Sequence, residues 1–359
     1  MGKRTIMPFG PQHPVLPEPI QLKLVLEDEK VVEAIPAIGY VHRGLEKLAE
    51  EKDLNQNIYV VERVCGICSF MHALTYCQGI EELMGVEVPD RARYLRVVWG
   101  ELHRLHSHHL WLGLLADAFG YESLFMQCWR NRELVMDLME ATAGSRVIIS
   151  TNIIGGVRRD IDSEQQKYIL TNLDKLEEEL KKIESAFLDD YTVKKRLVDV
   201  GVLSKKEAEE VSCVGPMARA SGINTDLRMT GYAAYNELDF EPIVETDGDS
   251  YARMKVRLRE CYQSIDLLRQ VFSKIPEGPI SVPVKGFPNG EIVSRVEQPR
   301  GEVLYYIKAN GTKNLDRLRI RTPTFSNIPA LMKILQGADL AEVPLLILTI
   351  DPCISCTER

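Results

Sequence analysis

The spacing of apolar residues changes from a strand pattern to a helix pattern along the chain. Residues 20–26 and 31–35 are β-rich runs separated by a charged turn, which predicts a β-hairpin at about residues 20–36. From residue 45 onward, apolar residues recur at helical spacing in three segments, 45–49, 73–84 and 92–119. We therefore expect a helical bundle that follows a small N-terminal β region.

Capping patterns predict two more helices in the middle of the chain. Ser163 is the expected N-cap of a long helix that continues to about residue 188. Ser204, with Glu207 three residues later, forms the sequence pattern of a capping box before a short helix. The following stretch, residues 214–228, has no helical period and is predicted to be a loop.

The last third of the chain mixes the two patterns. It predicts helices at 249–273 and 327–336, strands at 303–308 and 318–320, and a final buried strand at 345–350. No repeat or linker interrupts the sequence. The predicted fold class is mainly α with small peripheral β elements (α+β), in a single domain that spans residues 1–359.

Charge and hydropathy exclude several classes of protein and of binding partner. The net charge is −8, and the basic residues are scattered among acidic ones, so we predict no nucleic acid partner. The N-terminus lacks the apolar core of a signal peptide. The longest clean apolar run, residues 343–350, is too short for a membrane-spanning helix. With no sign of secretion, the eight cysteines indicate a reducing compartment and metal or redox chemistry rather than disulfides.

Two cysteine pairs carry the clearest chemical signal. Cys65 and Cys68, and likewise Cys353 and Cys356, are separated by two residues, a spacing that lets both sulfurs bind one metal. Four such thiolates are typical of structural zinc or of an iron-sulfur centre. In zinc ribbons, however, the second pair follows about 15–20 residues after the first, whereas these pairs lie 288 residues apart. A shared site would join the two ends of the chain.

The motifs around both pairs resemble those of nickel-iron hydrogenase large subunits. Residues 62–72, ERVCGICSFMH, match the pattern RxCGxCxxxH, and residues 351–356, DPCISC, match DPCxxC. The segments GPQHPVLPEP (10–19) and GYVHRGLEKL (39–48) resemble the branch shared with the quinone-site 49-kDa subunit of respiratory complex I. In that branch the respiratory subunit has lost the metal-binding cysteines, and this sequence keeps all four. The chain therefore resembles the energy-converting, membrane-bound hydrogenases, including the carbon-monoxide-induced type.

This resemblance implies a large-subunit-like helical bundle and a Ni-Fe centre at which H2 is cleaved or formed heterolytically. Cys65 and Cys353 would be terminal nickel ligands, and Cys68 and Cys356 would bridge nickel to iron. Thiolates suit both metals because they are soft donors. The iron would also carry cyanide and carbon monoxide.

The resemblance also implies residues that move or orient charge at the centre. Cys353 would accept a proton and Glu18 would relay it, although a glutamate in a Pro-rich loop can also be merely solvated. Arg300 would lie over the open metal face, close to Asp351, although Pro299-Arg300-Gly301 is also an ordinary hairpin turn.

Three further residues have implied roles in the surroundings of the metals. His72 would hydrogen-bond a bridging sulfur, although a lone histidine on a helix is more often simply packed. Arg63 would supply an outer charge, although it can also form a surface ion pair with its neighbour Glu62. Glu46 matches a family carboxylate that can hold magnesium near the C-terminus. At the C-terminus this chain differs from the uptake hydrogenases of the family. Those enzymes end in the pattern CxxH, whereas this chain ends Cys356-Thr-Glu-Arg359.

The expected partners follow from the same resemblance. They are a small subunit with a 4Fe-4S cluster, membrane subunits that translocate ions, and ferredoxin as electron carrier through partner subunits. We expect a peripheral subunit on the cytoplasmic side of the membrane. Two alternatives stay open, namely a non-catalytic structural zinc protein and a quinone-site or sulfur-reducing relative of complex I.

Overall fold

The computed structural model describes residues 4–359, and its first element is a three-stranded antiparallel sheet. The strands are β1 (Arg4–Phe9), β2 (Gln21–Glu27) and β3 (Lys30–Ala37), in the order β1-β2-β3. The predicted hairpin corresponds to β2 and β3. We did not predict β1, because Pro8 interrupts its pattern. Proline is compatible with this position since β1 is at the sheet edge.

Five helices follow and form the centre of the molecule. They are α1 (Leu45–Glu51), α2 (Leu54–Glu62), α3 (Ser69–Met84), α4 (Asp90–Ala118) and α5 (Glu122–Ala143). The long helix α4 packs against α3, α5 and two later helices, and its side chains are buried on nearly all sides. The polar groups on α4 therefore need partners inside the protein.

The middle of the chain is also helical. A short hairpin of β4 (Asn152–Ile153) and β5 (Gly156–Val157) leads into α6 (Ser163–Asp189), α7 (Tyr191–Leu197), α8 (Lys205–Glu210), α9 (Pro216–Ala220) and α10 (Ser250–Lys274). The capping box at Ser204 and Glu207 is present. The cap of α6, however, is Asp162 rather than Ser163, because its carboxylate accepts from the Gln165 amide. The predicted loop at 214–228 contains α9.

A second three-stranded antiparallel sheet and three helices complete the chain. The strands are β6 (Asn289–Gln298), β7 (Gly301–Asn310) and β8 (Leu315–Arg321), followed by α11 (Pro323–Leu335), α12 (Val343–Thr349) and α13 (Ile354–Thr357). The strand prediction for residues 345–350 was wrong, because this segment is α12. Its side chains are buried on all sides, so hydrophobic periodicity could not separate helix from strand.

The two larger hydrophobic clusters organise these elements. The larger one lies among α2 to α6, α10 and the second sheet, and it includes the four paired cysteines. The smaller one joins the N-terminal sheet to α11 and α12. The predicted class, mainly helical with small sheets, is confirmed. Within residues 4–359, no helix combines the length and the apolar character needed to cross a bilayer.

Candidate metal centre

The four paired cysteines converge in the interior, although they come from opposite ends of the chain. The Sγ atoms of Cys65 and Cys353 lie 3.3 Å apart, and those of Cys68 and Cys356 lie 3.7 Å apart. Cys65, Cys68 and Cys356 all lie within 4.8 Å of one another, and all four side chains are buried. The sulfurs are therefore close enough to share metal ions.

Local backbone geometry fixes both cysteine turns. Between α2 and α3, the amides of Ile67 and Cys68 point at the Cys65 sulfur, at 3.3 and 3.4 Å. At the other end, Asp351 adopts a positive φ of 55°, which turns the chain out of α12. The Cys353 amide then donates to the Thr324 hydroxyl at 3.1 Å. Each pair is held by contacts that do not depend on the other pair.

The four clustered cysteines differ in acidity, because only Cys65 favours its thiolate form, while the pKa values of the other three lie well above the usual range. Thiol hydrogen bonds from Cys353, Cys356 and Cys68 hold the pKa of Cys65 well below its usual range. Burial, in contrast, raises the pKa of Cys356. A bound cation would remove the remaining thiol protons, because coordination deprotonates a thiol. Four buried, soft donors without an oxygen ligand among them fit a Ni-Fe centre.

Arg300 is fixed beside the sulfurs by Asp351. It occupies the two-residue turn between β6 and β7, and its Nη2 lies 2.7 Å from Asp351 Oδ1 while its Nε donates to the Asp351 carbonyl at 2.9 Å. Burial alone lowers the pKa of Arg300, but Asp351 and the neighbouring cysteine sulfurs raise it well above its usual range. The guanidinium therefore keeps its positive charge inside the protein. The predicted proximity of Arg300 and Asp351 is present.

Glu18 contacts the C-terminal cysteine turn through its carboxylate. Its Oε2 accepts from the backbone amides of Ile354, which directly follows Cys353, and of Ser355. Burial raises the pKa of Glu18, and the charge of Arg300 opposes this shift. The same side chain lines a cavity of about 200 Å³ together with Gln12 and His13. Glu18 therefore lies between the cysteine turn and a cavity.

His72 bridges a sulfur and a buried tyrosine. Its Nε2 lies 3.4 Å from Cys356 Sγ, and its Nδ1 lies 2.8 Å from the Tyr305 hydroxyl. Burial lowers the pKa of His72 to about 4, so the imidazole is neutral near pH 7. A neutral ring has one N–H, which we expect on Nε2, directed at the sulfur, with Nδ1 accepting from Tyr305.

Two predicted residues have other partners. The half-exposed Arg63 donates to the Tyr59 carbonyl at 3.1 Å and pairs at 3.4 Å with Glu62, whose carboxylate is buried. Glu46 Oε1 accepts from the Ile320 amide and from Arg359 Nε at 2.9 and 3.0 Å. A carboxylate that faces guanidinium groups does not fit the oxygen-rich shell that magnesium requires.

Arg43 contacts both cysteine turns, and we did not predict it. Its guanidinium donates to the carbonyls of Arg63 and Val64, at 2.7 and 2.9 Å, and to the Ser355 carbonyl at 3.0 Å. The signal in the sequence was its place in GYVHRGLEKL, but carbonyl contacts cannot be read from residue type. Arg43 therefore links the two ends of the chain beside the sulfurs.

Comparisons with known proteins agree with this geometry. Residues 43–117 match the family model described as nickel-dependent hydrogenase. Residues 118–287 and 283–359 match the model of the respiratory-chain NADH dehydrogenase 49-kDa subunit. The match to both models reproduces the two resemblances in the sequence.

Individual relatives cover nearly the whole chain. It is 42% identical to the carbon monoxide-induced hydrogenase of Rhodospirillum rubrum, over 100% of both chains. It is also 42% identical to the membrane-bound hydrogenase subunit alpha of Pyrococcus furiosus, over 98% of this chain and 87% of that one. A subunit of the membrane-bound sulfane sulfur reductase, an archaeal respiratory membrane complex, superposes with a TM-score of 0.94, at 32% identity and over 99% and 98% of the two chains.

These relatives are oxidoreductases, and the names of the second and third place them in membrane-bound assemblies. The matches extend over both cysteine pairs and over the fold that brings them together. The chain therefore belongs to the family that unites the nickel-dependent hydrogenases with the 49-kDa subunit of respiratory NADH dehydrogenase, in the branch of the carbon monoxide-induced and membrane-bound hydrogenases.

Proposed function

We propose that this chain is the catalytic subunit of a membrane-bound, energy-converting hydrogenase that cleaves and forms H2 reversibly at a Ni-Fe centre. The observation that carries the proposal is the convergence of four buried cysteine sulfurs from opposite ends of the chain. When bound, the centre splits H2 heterolytically, so that two protons and two electrons leave in each cycle. Cys65, Cys68, Cys353 and Cys356 would hold the metals, whose iron also carries cyanide and carbon monoxide.

The neighbouring side chains then have defined tasks. Cys353 accepts the proton, and Glu18 relays it, since Glu18 contacts the amide that follows Cys353 and its raised pKa suits a group that takes up and releases protons. Arg300 keeps a positive charge beside the sulfurs, and Asp351 fixes its orientation with two hydrogen bonds. His72 donates to Cys356 and limits the rotation of that thiolate.

Electrons must leave through a partner, because these side chains offer no second redox centre. A small subunit with a 4Fe-4S cluster would approach the Cys65 turn, where Gly66 is exposed and Ile67 is partly exposed. Ferredoxin would exchange electrons through partner subunits. Membrane subunits would translocate ions while this chain lies peripherally on the cytoplasmic side.

A sulfur-reducing or quinone-linked role is the second candidate. It is favoured by the superposition on the sulfane sulfur reductase subunit. Retention of all four cysteines favours the hydrogenase role, because the resemblance implies that quinone-site relatives lack them. H2-dependent reduction of an artificial acceptor by the purified complex separates the two roles.

The test combines metal content with infrared spectroscopy. We expect about one nickel per chain and stretching bands of metal-bound cyanide and carbon monoxide. A Cys353→Ser variant should lose H2-dependent activity, while Cys213→Ser, which changes a thiol whose pKa burial raises to about 11, should retain it. A complex that contains zinc instead of nickel, or a fully active Cys353→Ser variant, contradicts the proposal.

A further inference from the structure

The C-terminal turn is fastened to the rest of the protein by arginine side chains. Arg359 Nε lies 3.0 Å from Glu46 Oε1, and its Nη1 donates to the Thr357 carbonyl at 3.0 Å. Arg359 also stacks over the Phe325 ring at 5.3 Å. One guanidinium thus spans a carboxylate on α1 and a carbonyl of the cysteine-bearing turn, the kind of oxygen pair that a divalent cation would otherwise bridge.

The surroundings of Glu46 leave no shell for a metal ion. Its Oε1 already accepts from Arg359 and from the Ile320 amide, and Arg319 Nη1 lies 3.6 Å from its Oε2. Magnesium requires near-octahedral oxygen ligands at about 2.0–2.1 Å. Such an ion would have to displace two N–H donors while lying next to two positive guanidinium groups.

A second arginine also contacts the same turn. Arg43 links the Ser355 carbonyl to the carbonyls of Arg63 and Val64, which precede Cys65. The adjoining His42 contacts the Glu358 carbonyl through Nδ1 at 2.8 Å. The segment that carries Arg43 and Glu46 therefore contacts both cysteine turns without touching a sulfur.

We propose that Arg359 takes the place of a divalent cation beside Glu46 and that, with Arg43, it forms a guanidinium clasp that positions the C-terminal cysteine turn. The clasp makes this end of the site independent of magnesium. Arg359 and Arg43 are positioning residues, since they act on the sulfurs through backbone carbonyls. The inference rests on the proposed function for the role of the sulfur site, but its consequences are measured without H2.

The first test uses the purified complex as it is. After EDTA treatment and equilibration with Mg²⁺, elemental analysis should find no magnesium bound to this subunit. Hydrogen exchange of the amides in residues 354–358 should be the same with EDTA and with Mg²⁺. One tightly held magnesium per chain, whose removal accelerates exchange in this turn, would overturn the inference.

The second test replaces Arg359, one of the two arginines of the clasp. Arg359→Ala should accelerate exchange in residues 354–358 by at least about tenfold, because the turn loses two charge-assisted hydrogen bonds. The exchange rate in Arg359→Lys should lie between those of the unaltered protein and Arg359→Ala. Lysine keeps the positive charge but lacks the planar guanidinium that can bind two oxygens at once. Added Mg²⁺ should not slow exchange in either variant. Unchanged exchange in Arg359→Ala would contradict the clasp.

A matched control lies on the same helix, α1. Arg317 on β8 pairs with Glu50 on α1 at 2.8 Å, one helical turn away from Glu46. Arg317→Ala removes a comparable ion pair that has no contact with the C-terminal turn, so exchange in residues 354–358 should stay unchanged. A complex without nickel that still shows the Arg359 effect would refute only the proposed function, whereas a nickel-containing complex with magnesium at Glu46 would refute only the clasp.

Discussion

Glu18 is held by the amides of the turn that follows Cys353, and this contact makes its acidity depend on the turn. Two N–H donors and Arg300 favour the carboxylate, while burial favours the neutral acid and has the larger effect. At neutral pH the protonated form is therefore easier to reach than for an exposed glutamate. This direction of shift suits a group that accepts and releases a proton in each cycle.

Replacing Glu18 by glutamine should block proton transfer without disturbing the sulfurs. Glutamine can still accept from the Ile354 and Ser355 amides, so nickel content and the infrared bands should remain. H2-dependent dye reduction should fall by about 10²–10⁴-fold, the usual contribution of a positioned acid-base group. Glu33→Gln on the exposed face of β3 serves as control. Activity of Glu18→Gln within twofold of the control would exclude the relay.

Tyr305 should affect the metal centre through His72. Tyr305→Phe removes the hydroxyl 2.8 Å from His72 Nδ1 and leaves a buried nitrogen unpaired, which costs about 1–3 kcal/mol. The imidazole can then turn away from Cys356, so the carbon monoxide and cyanide bands should shift. Tyr306→Phe is the matched control, because the neighbouring hydroxyl bonds to Glu291 at the surface. Identical spectra for the two variants would argue against a role for His72 at the sulfur.

At the scale of elements, the position of Arg300 depends on close contact between two backbone turns. Gly215, at the start of α9, has a φ of 67°, and a Cβ added there would lie 2.4 Å from the Arg300 carbonyl oxygen. The β6–β7 turn that carries Arg300 therefore packs directly on a residue without a side chain. This contact lies in the segment for which the sequence predicted only a loop.

Gly215→Ala should consequently displace Arg300. The backbone conformation of Gly215, with φ 67° and ψ −148°, is essentially restricted to glycine and costs another residue about 1–3 kcal/mol by itself, and the backbone clash adds to it, so both stability and H2 turnover should decrease. Gly222 also has a positive φ, of 82°, but the nearest atom to its added Cβ is 3.8 Å away. Gly222→Ala therefore carries the strain without the clash and should leave turnover unchanged. Equal activities for the two variants would mean that the contact does not position Arg300.

The elements that the sequence predicted are those with a clear period or a clear cap. The β2–β3 hairpin and α10 are located by residue spacing, and α4, although buried on nearly all sides, is far too long for a strand. Helix α12 is buried on all sides and β1 contains a proline, so neither follows the expected pattern. The metal site was also predicted only in part. The spacing of the cysteines indicates metal ligands, whereas the contacts of Arg43 with backbone carbonyls depend on the folded structure and leave no pattern in the sequence.

At the scale of the whole molecule, helix α4 carries several histidines that are buried in the core and neutral. Burial lowers the pKa of His103, His108 and His109 to about 4. Two of these rings have different hydrogen-bond partners. His108 Nε2 lies 2.7 Å from Glu260 Oε2, and His109 Nδ1 lies 2.8 Å from the Leu105 carbonyl. These histidines do not join the cysteine cluster, and we therefore assign them a packing role.

The neutral histidines should make stability depend on pH in a definite direction. An unfolded histidine titrates near pH 6.5, whereas folded His109 titrates at about 4. Between these values the unfolded chain binds the additional proton, so the contribution of His109 is complete above pH 6.5 and decreases as the pH falls towards 4. Buried carboxyl groups such as Glu297, whose pKa burial raises to about 7, titrate in the opposite sense, so the total slope cannot isolate the histidines.

The difference between the chain and a His109→Leu variant isolates one group. From pH 7 to pH 5, the free energy of unfolding of the unaltered chain should fall by about 2 kcal/mol more than that of the variant, because leucine binds no proton. Urea unfolding at both pH values measures this difference, and packing changes that are the same at both pH values cancel. Leucine also replaces an imidazole whose Nε2 is buried without a hydrogen bond among the described residues, so the variant should fold. Equal pH dependence in both chains would show that His109 takes up its proton over the same pH range in the folded and the unfolded protein, in which case burial does not control the charge of the α4 core.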